Sequence, residues 1–287
     1  MPALKDANWR QAIAGVNQLP PFSPLVTRLL GALSDENVSF AKVADLIEKE
    51  PVVAANVLRM VNSAIYGRHG TVSSIRHAIS ILGINKLRNT VLAISISNLW
   101  NRLRPPKGWS MRDFNRHASA TAVLADQLVL NVTVYYAEGA FTAGLLHDLG
   151  KLLIAAALPD LSRQIRAAAK ENLERRLSAE EEILGFRHEE LSEIVLKRWN
   201  LPAPVLEAIR GHHQPPDGAA PTLRDIVRTA DQCVNQLGIT SEPDIRVEGD
   251  PLQALLPLGL DGGAEGILDA FQRELSAPEG LLSAAIA

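Results

Sequence analysis

The sequence is poor in several features that usually announce function. It holds one cysteine, Cys233, among 287 residues, so no disulfide framework, cysteine zinc ribbon or iron–sulfur site can form within one chain. It has no marked charge of either sign. Lys and Arg total 29 against 32 Asp and Glu, a formal charge of −3, which excludes a global attraction to nucleic acid or anionic lipid and leaves only a local basic patch open. No uninterrupted apolar run reaches the ~18 residues of a membrane span; the longest candidate, 128–146, is broken by Asn131 and Glu138. The first 16 residues mix Lys5, Asp6 and Arg10 into a short amphipathic pattern without a signal-peptide h-region. The expectation is a soluble cytoplasmic chain with no membrane partner. No repeat, low-complexity segment or receiver-like α/β pattern is visible.

What is present is the patterning of an all-α protein. A 47% hydrophobic fraction is that of a globular chain, long enough to build a core without covalent staples. Apolar residues recur at helical spacing from Pro24 to Leu33 and from Phe40 to Glu48, and Pro51 stands where a third helix would place its first residue. That helix is expected to run to about Ala64. A short helix follows from Ser73 or Ser74 to Ile81, stopped by Gly83, and a long one from Ile84 to Leu103. The break Arg104-Pro-Pro-Lys-Gly108 is the strongest punctuation in the first half. Beyond it the pattern predicts helices over 111–132, 140–157, 161–172, 179–184, 189–199, 203–212 and 221–237, with Gly238 just past the last of these. A Gly/Pro/Asp-rich stretch, 241–263, contains one short apolar piece, 252–256. A final helix, 267–275, leads to an apolar tail expected to pack on the body. The expected domains are an N-terminal helical lobe (1–105), a helical core (106–240) and a C-terminal helical extension (241–287).

The sharpest local feature is Leu145-Leu-His-Asp-Leu-Gly-Lys151. His147 and Asp148 offer an imidazole nitrogen and a carboxylate oxygen, both ordinary ligands of divalent metals. Lys151, three to four residues on, shares their helix face, where an ammonium could meet a phosphate oxygen. A lone His-Asp pair means only local capping. The ordered series around it means more: His117, His188, the doublet His212-His213 and Asp231, each beside an apolar run that would turn it toward a core. A two-metal hydrolytic site uses about this set of ligands. His69 and His77 stand outside the series; His69 reads as solvated and His77 as hydrogen-bonded and half-buried. Asn62 and Ser63 in Val61-Asn-Ser-Ala-Ile-Tyr-Gly67 read as satisfying backbone groups at a helix end. Lys86, Arg88, Arg102, Arg104 and Lys107 read as solvated helix faces.

In the order of its ligands the sequence resembles the HD superfamily of metal-dependent phosphohydrolases, with His117, His147, Asp148 and Asp231 falling on the motif positions. His188 and His212-His213 are similar to the extended set of HD-GYP phosphodiesterases, which hydrolyse cyclic di-GMP. Where those enzymes continue with a Gly-Tyr-Pro loop, this chain reads Gln214-Pro-Pro-Asp-Gly-Ala-Ala-Pro221. Leu19-Pro-Pro-Phe-Ser-Pro, Glu50-Pro-Val-Val-Ala-Ala-Asn-Val-Leu-Arg-Met-Val-Asn-Ser-Ala-Ile-Tyr-Gly67, Ile75-Arg-His-Ala-Ile-Ser-Ile-Leu-Gly83 and Trp199-Asn-Leu-Pro202 look like the HDOD domain over about residues 15–240. The resemblance implies a multi-helix HD-like bundle with an N-terminal helical lobe, in a bacterial signal-transduction output or interaction module such as the output half of a response regulator. Its partners would be other signalling proteins, and a nucleotide or phosphate ligand would suit the pocket. The pocket would hold one or two divalent ions (Fe, Mn, Mg or Zn) on His117, His147, Asp148, His188, His212, His213 and Asp231, without turnover. The alternative is a metal-dependent phosphohydrolase or cyclic-dinucleotide phosphodiesterase, with Asp148 and Lys151 catalytic.

Overall fold

The computed structural model describes residues 2–16, 23–31, 40–62, 72–101, 103, 106–169, 174–218, 220–242, 247–260 and 262–276. The described residues form helices and turns with no strand. In chain order the helices are α1 (Pro2–Val16), α2 (Pro24–Gly31), α3 (Phe40–Glu48), α4 (Pro51–Val61), α5 (Ile75–Leu82), α6 (Ile84–Trp100), α7 (Met111–Leu128), α8 (Ala140–Leu146), α9 (Leu149–Ala157), α10 (Pro159–Ala169), α11 (Glu174–Ile183), α12 (His188–Arg198), α13 (Ala203–Gly211), α14 (Leu223–Gln236), α15 (Pro251–Leu255) and α16 (Ala264–Ser276). The all-α expectation holds. The apolar tail, His69, Ser63, Tyr66, Arg102 and Arg104 lie outside the described residues.

Local chemistry sets many of the boundaries. Pro51 occupies the first turn of α4, where its missing N–H costs nothing. Asn62 ends that helix: its amide donates to Leu58 O and Val72 O, and its Oδ1 accepts from Val72 N at 2.6 Å. Ser74 caps α5 by accepting from His77 N. Gly83, at φ 76°, turns the chain through the sharp bend into α6, a backbone setting that disfavours any side chain. His77 itself is exposed rather than half-buried, and its backbone N–H donates to Ser74 Oγ.

Helices α2 to α6 pack on one another, and α6 meets α7 and α8. Trp100 at the end of α6 stacks edge-on against Phe114 of α7, with ring centres 5.1 Å apart. In the second half α7, α13 and α14 pack around α8, while α10, α12 and α1 pack on α9. Trp9 of α1 packs edge-on against Phe186, and Gln11 donates to Ala157 O. Ala137–Ala157 is long and apolar enough to cross a membrane by composition, yet 89% of that window is buried inside the protein. It is core.

One expected helix is two. The 140–157 pattern is interrupted at His147-Asp148, which form a turn between α8 and α9. Ser192 of α12 holds the break: its hydroxyl donates to His147 O at 3.2 Å and accepts from Gly150 N at 2.8 Å. Gly150 makes this approach possible, since a Cβ there would stand 1.9 Å from His188 O. Gly150→Ala is therefore expected to push α12 off α9, lowering stability by about 3 kcal/mol or more, as read by urea unfolding. An alanine variant as stable as the parent would contradict this packing.

Candidate metal centre

The series singled out by sequence converges at one place, contributed by five segments. His117 comes from α7, His147 and Asp148 from the α8–α9 turn, His188 from the first position of α12, His212 and His213 from just past α13, and Asp231 from α14. His117, His147, His188 and His212 are fully buried, Asp148 is 1% exposed and Asp231 5%. Lys151 is also buried, and its Nζ lies 2.7 Å from Asp148 Oδ2.

The donor atoms fall into two groups that share Asp148. His117 Nε2 stands 3.3 Å from His147 Nε2, 3.1 Å from Asp231 Oδ1 and 3.5 Å from Asp148 Oδ2. His147 Nε2 is 3.4 Å from Asp148 Oδ2 and 3.5 Å from Asp231 Oδ1. Donors bound at about 2.1 Å to a common centre stand about 3.4 Å apart in a tetrahedron and about 3.0 Å at adjacent octahedral positions. These spacings match. In the second group Asp148 Oδ1 is 3.3 Å from His188 Nε2 and 3.8 Å from His212 Nε2, and His213 Nε2 is 3.2 Å from His188 Nε2. Asp148 Oδ1 and His212 Nε2 are buried without a hydrogen-bond partner. Each group could hold a metal ion.

The imidazoles are fixed in the form a metal requires. His117 Nδ1 is 2.8 Å from Ile239 O, His147 Nδ1 2.7 Å from Gly144 O, and His212 Nδ1 2.7 Å from Ile209 O. A carbonyl oxygen only accepts, so each Nδ1 carries a hydrogen and each Nε2 is the nitrogen turned to the centre, available to a metal once any proton on it leaves. His188 Nδ1 is held in the same way by Glu180 Oε2 at 2.7 Å. Glu180, Ser192 and the Ile239 carbonyl are functional neighbours that sequence reasoning missed.

Lone pairs and carboxylates so crowded need positive charge between them. In the metal-free chain protons supply it. Burial alone would push His147 down, but Asp148 and Asp231 outweigh it and raise its pKa to about 10. Burial also opposes charge on His188, where Glu180 and Glu189 raise the pKa to about 9. His212, buried beside those two cations, falls to about 3. Asp148 stays ionised despite burial because His147 and Lys151 flank it.

The chain agrees in pattern and fold with known proteins. The model of the HDOD domain family matches residues 19–215. An HDOD domain protein of unknown function from Geobacter sulfurreducens superposes with a TM-score of 0.72 at 26% identity, covering 97% of this chain and 92% of that one. A protein from Shewanella amazonensis SB2B, provisionally called a phosphohydrolase, gives 0.70 at 22% identity, covering 96% and 98%. An uncharacterized protein of Treponema pallidum (strain Nichols) is 22% identical over 212 residues, which are 70% of this chain and 39% of that protein. The match thus spans well under half of that relative.

Raised imidazole pKa values stabilise the metal-free fold below the ordinary histidine value of about 6.5. That contribution drains away as pH rises through about 9 and 10. Metal entry must displace the same protons. Uptake of Mn²⁺ is expected to release protons and to tighten from pH 6 to pH 9, as read by calorimetry in buffers of different ionisation enthalpy. Affinity independent of pH would refute the assignment of His147 and His188.

Proposed function

Because the chain belongs to the HDOD family, we propose that it is a bacterial signal-transduction module whose His/Asp cluster is a two-metal centre kept without turnover. The observation that carries the metal assignment is the 3.1–3.5 Å spacing of the His117 and His147 donors from each other and from those of Asp148 and Asp231. His117, His147, Asp148 and Asp231 would hold one divalent ion. Asp148, His188, His212 and His213 would hold a second, with Asp148 shared. Bound ions of this kind polarise phosphoryl oxygens and make bound water acidic. Around them the residues of this chain mainly enclose. His117, His147, His188 and His212 have no exposed surface. Lys151, the group suited to a phosphoryl oxygen, is spent on Asp148. The Gln214–Pro221 segment lacks the Gly-Tyr-Pro sequence of the cyclic di-GMP hydrolases. Together these features support recognition through protein contacts, with signalling proteins as partners in the cytoplasm.

One observation favours the second reading, a phosphohydrolase. His213 lines a cavity of about 340 Å³ together with Arg187, Arg210 and the carboxylates Glu181, Glu189 and Glu190, so the second subsite has an opening of mixed charge beside it. The name given to the Shewanella protein points the same way.

Protein purified without chelators is expected to carry two divalent ions per chain. It is expected to leave cyclic di-GMP and bis(p-nitrophenyl) phosphate intact in the presence of Mn²⁺ or Fe²⁺. Asp148→Asn should abolish the uptake of both ions, because each group uses one oxygen of that carboxylate. Turnover in the parent that Asp148→Asn removes would replace the signalling reading with the hydrolase; a parent without bound metal would refute the centre itself.

A further inference from the structure

We propose that Glu242, Arg176 and Glu180 form a buried relay that positions His188 and so sets the metal affinity of the second subsite. The proposal rests on the two-metal reading above. None of the three residues touches a metal donor group except Glu180, which does so through the far nitrogen of His188.

Glu180 Oε2 accepts from His188 Nδ1 at 2.7 Å and from His188 N at 2.9 Å, which fixes both the ring and the first turn of α12. Its other oxygen accepts from Arg176 Nε at 2.8 Å. Arg176 then donates through Nη1 to Glu242 Oε1. All are enclosed: Glu180 is 0%, Arg176 2% and Glu242 3% exposed. Glu242 Oε2 also lies 3.8 Å from Arg166 Nε. Arg176 offers a planar fork whose Nε and Nη1 meet two different carboxylates, a geometry that a lysine point charge would not reproduce. The paired carboxylates keep Arg176 charged, and His188 and Arg176 together hold Glu180 down at about 2 despite its burial.

A buried ion network without another task is a poor investment in stability, since well-packed apolar residues of similar volume often do as well. Here the network ends on a candidate metal ligand. A carboxylate on the far nitrogen makes an imidazole a better metal donor and holds the ring in place. The far end of the relay is Glu242, which lies beyond residue 215, where the HDOD match ends. The strap that carries it begins after Gly238, and Thr240 steadies it by donating from Oγ1 to Glu242 O at 2.7 Å.

The test is a Co²⁺ titration of the full chain, followed by visible absorption, in the parent, Glu180→Gln and Glu242→Gln. A glutamine at 180 has one oxygen for three donors from two residues, so either His188 or Arg176 faces an amide N–H. It should lose the second equivalent of Co²⁺ and keep the first. Glu242→Gln leaves Arg176 paired with Glu180 and should weaken only the second equivalent, by about tenfold or more. Retention of helical circular dichroism and of the first equivalent shows that each variant is folded. A merely structural role would weaken both equivalents together, and that result overturns the relay. So does a second equivalent as tight in both variants as in the parent. A parent that takes up fewer than two equivalents refutes the two-metal reading and the relay with it.

Discussion

The constraint on which the centre depends is the burial of Asp148. A carboxylate with 1% exposure is tolerable only if positive charge or strong donors surround it. Its two oxygens look in different directions: Oδ2 toward Lys151, His117 and His147, and Oδ1 toward His188 and His212. A straight helix through this point could not present both His147 and Asp148 to one centre, because neighbours on a helix diverge by about 100°. The turn between α8 and α9 solves that problem, and Ser192 with Gly150 keeps it in place. Packing, here, is what makes the chemistry available.

The same logic extends outward through the imidazoles. Three are committed at Nδ1 to backbone carbonyls and a fourth to Glu180. The carbonyls of Gly144 and Ile209 lie three residues before the histidines they hold, so two helix ends supply acceptors that would otherwise be left over. His147 and His212 thus cap their own helices while aiming Nε2 inward. This economy explains why the doublet-type motifs sit at helix ends. An orphan carbonyl and a ligand tautomer are satisfied by one hydrogen bond.

The sequence made the fold class and all seven ligand candidates legible, for a physical reason. Helical spacing and capping residues are local, and a run of histidines beside apolar residues is unusual enough to stand out. Phe40–Glu48 and the Gly83 stop were readable to the residue. The split of 140–157 was not, because Leu, Ala and Gly on both sides of His147 continue a helical pattern that a distant serine interrupts. Glu180 and Glu242 were illegible for a related reason. They lie in charged or Gly/Pro-rich stretches that look solvated, and only tertiary packing takes them out of water. His77 failed in the other direction, since its apolar neighbours suggested burial and the residue is exposed.

The centre reaches further along the chain than the family pattern does. Residues 19–215 contain six of the seven candidate ligands, but Asp231, the Ile239 carbonyl and Glu242 all follow. Ile239 holds His117 of the first subsite, and Glu242, three residues on, holds the relay to His188 of the second. Three residues span at most about 10 Å, so one short strap is bound to both halves. Under the proposed reading the metal ions join α7, α9, α12, α13 and α14 through their ligands, and the strap is ordered by the same contacts. Occupancy then governs how tightly five helices and the segment after them are held. In an enclosed site that is a property a partner protein can sense from the outside, with no substrate passing through.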